Sequence, residues 1–222
     1  MKANETASQE TGLQFFGKLS AAVSHDLKNV LSIINEKAGL LEDFCHMARQ
    51  GMALDMERID AVTAQVKAQV ERADQIIRCF NRFAHSTDHP IAPVDLGETV
   101  RTLVRLAQRL LAGMEVAVEV PPIDPPVVIT TRPLMAQELI WAALQWMAVR
   151  LGPKKEMSLA VERWGDGARV LIGGSGHSPE GGLDAAFCTA TDAVREALQA
   201  EIHLDNASGM LQIQLAALEP PP

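Results

Sequence analysis

The sequence predicts an α+β protein: a long antiparallel helical hairpin, then a mostly antiparallel sheet with helices packed on one face. Three observations predict it. No proline occurs before Pro90, and all 12 prolines lie from that residue onward. Before Pro90, apolar residues recur at spacings of three, four and seven, the period of a helix face. Beyond it, short alternating segments bounded by Pro- and Gly-rich turns are interleaved with three helical runs.

Residues 1–10 are polar and read as a disordered tail. Residues 11–88 read as the hairpin. Its first helix carries Phe16, Leu19, Val23, Leu27, Val30, Ile34, Leu41 and Phe44 on one stripe. Its second carries Ile59, Val62, Val66, Val70, Ala73, Ile77, Phe80 and Ala84. Between them, Gly51 supplies a helix stop and Asp55 an N-cap. Two helices cannot bury two such long stripes by themselves, so a homodimer closing a four-helix bundle is expected.

After a short linker, residues 95–218 read as a second domain. Asp95 and Glu98 have capping-box spacing ahead of a helix to about Leu111. Met114 to Val120 alternates as a strand, and Val127 to Thr131 follows a proline-rich turn. Pro133 opens a helix to about Leu151, at a position where proline is tolerated. Strands near Met157–Arg163 and Ala168–Gly173 flank the turn Trp164-Gly-Asp-Gly167. A Gly-rich loop, a helix near Asp192–Ala200 and strands near Glu201–Leu204 and Met210–Ala216 complete the chain.

Composition limits the function classes. Of 222 residues, 47% are hydrophobic and 22% charged, a globular balance. Aromatics are only 4% and tyrosine is absent, so aliphatic residues and the 9 methionines must fill the core. A net charge of −8 opposes a nucleic-acid or anionic-membrane partner, since both require a cationic surface. No apolar run approaches the roughly 18 residues that span a bilayer, and the N-terminus lacks signal-peptide character. The 3 cysteines (Cys45, Cys79, Cys188) match neither a disulfide framework nor a zinc pattern. These features predict a cytoplasmic protein without a resident metal or cofactor.

Chemistry concentrates in Ser24-His25-Asp26-Leu27-Lys28-Asn29. At about 100° per residue, His25 points away from the apolar stripe. Asn29 lies one turn later on the same outer strip, and Asp26 sits nearer the stripe's edge. An exposed imidazole beside a carboxylate can act as a nucleophile, because the carboxylate holds the proton on one ring nitrogen and frees the other. The same three residue types also populate ordinary solvated helix faces. The remaining histidines show no ligand spacing, and Gly173-Gly174-Ser175-Gly176 lacks the Lys and Ser/Thr of a phosphate-binding loop.

The stretch from His25 to Asn29 resembles the phosphoacceptor box of bacterial sensor histidine kinases: His, acidic, aliphatic, basic, Asn. That resemblance implies that His25 carries a phosphoryl group, that Asp26 is the base or orienting residue, and that Asn29 positions water for dephosphorylation. The second domain resembles the kinase ATPase domain in its order of elements, an α/β sandwich. It departs from that family in its ligand residues. The helix that carries magnesium- and phosphate-holding asparagines in the kinases has none between Pro133 and Leu151. Trp141 and Trp146 stand there instead, as core residues or as fillers of a vacated pocket. Gly174 occupies the place of the aspartate that reads adenine, and Gly181–Cys188 lacks the second glycine motif.

Taken together, the sequence predicts a histidine phosphotransfer protein that shuttles phosphoryl groups between His25 and the aspartates of response-regulator receiver domains without binding ATP. Any Mg²⁺ belongs to the receiver. Two alternatives stand beside it: a response-regulator phosphatase working through Asn29, and a non-catalytic pseudokinase that sequesters a response regulator.

Overall fold

The computed structural model describes residues 2–151, 155–174 and 182–219. Helix α1 (Lys2–Arg49) and helix α2 (Met56–Ala84) form the hairpin. Its antiparallel sense shows in the side chains that meet: Phe15 packs on Phe83 near one end, and Arg58 lies over the Phe44 ring near the other. Helix α1 begins at Lys2, inside the segment read from the sequence as a disordered tail. The turn between the helices uses Gly51 at φ +76°, a left-handed conformation natural to glycine. Asp55 caps α2 by accepting a hydrogen bond from the Arg58 amide at 3.2 Å. Asp55→Ala should therefore cost about 1 kcal/mol, measured as a lower midpoint in urea unfolding.

The second unit begins with β1 (Ala92–Asp95) and α3 (Leu96–Gly113), continues through β2 (Ala117–Glu119), β3 (Val128–Thr131) and α4 (Pro133–Arg150), and then forms the hairpin β4 (Glu156–Trp164) and β5 (Gly167–Gly174). Helix α5 (Ala185–Leu198) and strands β6 (Ala200–Asp205) and β7 (Met210–Leu215) follow. The main sheet has the order β2-β4-β5-β7-β6, antiparallel except for the β2–β4 pair. β1 and β3 form a separate antiparallel ribbon. Gly167 permits the close approach of β5 to β7: a Cβ there would lie 1.9 Å from the Leu215 carbonyl oxygen.

Three further details differ from the sequence reading. Strand β1 was not expected. Helix α5 starts at Ala185, seven residues before the expected Asp192, because Asp184 caps it by accepting from the Phe187 amide at 2.8 Å. Asp95 does cap α3, accepting from the Gly97 and Glu98 amides, but Glu98 does not return the capping-box bond. Its carboxylate instead pairs with Arg101 and with Arg82 of α2, tying the hairpin to α3. Those guanidiniums, Arg101 foremost, hold the Glu98 carboxyl below its usual range.

The core runs without a break from the hairpin into the second unit. Phe15, Leu19, Val23 and Phe83 belong to the same buried cluster as Leu103, Leu139, Leu144 and Leu159. Among the described residues, no helix is long and apolar enough to cross a membrane.

Candidate functional site

The stretch from His25 to Asn29 lies near the middle of α1, about two and a half turns beyond Phe16, which packs on Phe80 and Phe83 of α2. Val23 and Val30 are buried and fix the rotation of the helix. That rotation leaves His25 and Asn29 exposed on the outer strip and Asp26 half-buried at its edge. The three residues predicted from sequence are thus neighbours on one helix surface. No side-chain hydrogen bond or ion pair links them to other described residues. An exposed imidazole on a rigid helix, with an unpaired carboxylate next to it, is open to an incoming electrophile and carries no bond that must first be broken.

Asp26 also lines a groove of about 490 Å³ between α1, α2 and α3. Arg72 of α2 and Arg105 of α3 line it as well. Neither guanidinium has a carboxylate partner among the described residues, whereas Arg78 and Arg82 do. The groove beside Asp26 therefore holds two guanidiniums without carboxylate partners among the described residues, on a protein of net −8.

On the second unit, helix α4 is buried nearly all round. Trp141 and Trp146 are 5% and 6% exposed. The Trp146 indole donates to Asp184 Oδ2 at 2.7 Å, its ring stacks under the Arg150 guanidinium at 4.2 Å, and Phe187 packs at 5.3 Å. The Phe187 amide, the Trp146 indole and Arg150 together hold the Asp184 carboxyl below the usual range. Trp141 lines a smaller cavity with Phe15 and Lys18 of α1 and Glu138 of α4. At the end of β5, the space for a side chain at Gly174 is taken by Leu151, whose Cδ2 would lie 2.1 Å from a Cβ. Most of the Gly-rich motif after it (Ser175, Gly176, His177, Ser178) and Gly181 lie outside the described residues.

Sequence reasoning missed Glu138. A carboxylate on a helix that is apolar on every side was the available signal, since such a helix has no solvent face on which to place it. Among the described residues, no group of three or more His, Cys, Asp or Glu side chains could hold a metal ion.

No family model matches the chain, and no curated protein does. Solved structures do. A structure described as a bacterial phosphotransferase is 14% identical, covers 90% of this chain and 95% of its own, and superposes with a TM-score of 0.48. The histidine kinase AdeS of Acinetobacter baumannii is 14% identical over 88% of this chain and 98% of its own, with a TM-score of 0.44. The ATP-binding domain of PrrB from Mycobacterium tuberculosis is 18% identical over 59% of this chain and all of its own, with a TM-score of 0.45.

Proposed function

We propose that the protein is a histidine phosphotransfer protein of a two-component relay, accepting a phosphoryl group on His25 from one receiver aspartate and passing it to another. The observation that carries this reading is the exposed His25 on a rigid helix, beside Asp26 and one turn before Asn29, in a stretch that resembles the kinase phosphoacceptor box. In the forward step, a ring nitrogen of His25 attacks the phosphorus of the receiver's aspartyl phosphate. An N–P bond forms as the P–O bond to the aspartate breaks, and the departing carboxylate keeps the electron pair. In this reading Asp26 accepts a hydrogen bond from the other ring N–H and balances the charge the ring gains. The receiver supplies its own Mg²⁺, so the carrier contributes position and a nucleophile.

Loss of ATP binding is part of the proposal. It is supported by the absence of asparagine from α4, by Leu151 filling the space beside Gly174, and by the burial of Trp141 and Trp146. A homodimer is proposed as well. Leu31, Val70 and Ile77 are 63%, 53% and 45% exposed on the hairpin, an apolar surface that a second hairpin would cover.

The test is transfer from radiolabelled receiver domains charged with a small phosphodonor. The expected outcome is loss of label from a cognate receiver and its gain by this protein, undiminished in Asn29→Ala. Release of inorganic phosphate without labelled protein, abolished by Asn29→Ala, would replace phosphotransfer with the phosphatase reading. Stable receiver binding with no movement of phosphoryl would leave only sequestration.

A further inference from the structure

The groove of about 490 Å³ beside Asp26 takes its walls from both units, α1 and α2 of the hairpin and α3 of the second. Arg72 of α2 and Arg105 of α3 line it without a carboxylate partner among the described residues. Their neighbours on the same helices do pair: Arg78 with Asp74 on α2, and Arg101 with Glu98 on α3. Asp26 is the one carboxylate among the described lining residues, and it forms an ion pair with neither guanidinium. Gln75 and Gln108 also line the groove, and their side-chain amides form no hydrogen bond with a described residue. Four donor-bearing side chains therefore line one concavity with that capacity uncommitted.

The donors are of a particular kind. A guanidinium presents its N–H groups as a planar fork that binds an oxyanion two bonds at a time. A carboxylate, with two oxygens and one charge, suits a single fork. A phosphate monoester has three free oxygens and a charge near −2, and suits two. The rest of the wall is apolar: Val23 and Leu106 are each 4% exposed, and Ile76 is half-buried. A few polar groups on apolar walls, in a volume of this size, make up the usual small-molecule site. The two guanidiniums outnumber Asp26, so the groove keeps positive charge on a protein whose net −8 repels anions in general.

We propose that this groove binds a small organic phosphate, a monoester whose dianion lies between Arg72 and Arg105 and whose apolar body rests on Val23, Ile76 and Leu106. Both guanidiniums donate to the phosphate oxygens, and the amides of Gln75 and Gln108 supply further donors. The ester is bound and not consumed. The site does not rest on the phosphotransfer reading, since it makes no use of His25. Because the ligand bridges the hairpin and the second unit, binding stabilises the whole chain.

Phenyl phosphate is the probe, as it carries only a dianion and an apolar body. Calorimetric titration of the intact protein, above the second ionisation of the phosphate, should show saturable binding of one equivalent with a Kd of about 1 mM or below. Inorganic phosphate should bind roughly tenfold more weakly, because it leaves the apolar wall uncovered. Arg72→Ala and Arg105→Ala should each weaken phenyl phosphate binding about tenfold or more. Arg49→Ala, which removes the same charge from the last turn of α1, should leave binding unchanged. Both groove arginines are exposed, so their variants should keep the wild-type unfolding midpoint. In the wild type, the side-chain Nε–H resonances of Arg72 and Arg105 should shift along the same saturation curve, and that of Arg49 should not. The proposal would be overturned by an absence of saturable binding, by equal loss in Arg49→Ala, or by full affinity in the two groove variants. Inorganic phosphate binding as tightly as the ester, or unmoved Arg72 and Arg105 resonances at saturation, would overturn it too.

Discussion

His25→Ala should lower phosphoryl acceptance from a charged receiver on the order of a thousandfold or more, to the assay background. Removing the imidazole removes the atom that forms the new bond, and no other described histidine has an acidic residue directly after it and an asparagine one turn on. His85 is bonded to Asp88, and His203 to Glu201. The substitution lies on an exposed face, so stability should change by no more than about 0.5 kcal/mol. An unchanged unfolding midpoint would thus separate lost chemistry from lost structure. Asp26→Asn should keep acceptance but slow it by about a hundredfold, because the ring's other N–H then faces a neutral amide. A slower single-turnover rate with unchanged receiver affinity is the signature of such a positioning role.

The largest effect on stability is expected at Phe83. It is fully buried and forms the centre of an aromatic cluster, stacked on Phe16 at 5.0 Å and edge-on to Phe15 at 5.8 Å. With aromatics at 4% of the chain, this cluster concentrates much of their packing where the hairpin meets the second unit. Phe83→Ala should cost about 3–5 kcal/mol, from lost transfer energy and the cavity left behind. A thermal or urea transition should show it as a single displaced unfolding step, because the hairpin and the second unit share one core. Two separated transitions in the variant would instead mean that the units melt independently.

Much of this architecture was legible in the residue pattern. The hairpin could be read because Val23, Val30, Val62 and Phe80 repeat at the helical period without a proline to break it. The same period placed His25 outward and Asp26 at the stripe's edge, where the structure puts them. The β4–β5 hairpin was legible from Gly165 and Asp166 between two alternating runs. What escaped depended on partners distant in the chain. β1 contains Pro93 and exists as a strand only through its pairing with β3. The start of α5 hid behind Gly181 and Gly182, which read as loop, although Asp184 was a usable cap signal. Glu98 matched a local capping rule but found stronger partners in Arg101 and, sixteen residues away, Arg82. The cleft around Glu138 is assembled from three helices, and no local pattern encodes it.

The central claim is that His25 is the phosphoryl acceptor and that the donor is a receiver rather than ATP. Mass-spectrometric mapping under alkaline conditions, where phosphohistidine persists, tests it most directly. The wild-type protein would be incubated in parallel with ATP and Mg²⁺ and with a panel of receiver domains charged by acetyl phosphate. The account predicts a single phosphoryl group on His25 in at least one receiver reaction and none with ATP alone. A phosphoryl group on any other residue, or labelling of His25 by ATP alone, would contradict it, as would unmodified protein across the whole panel.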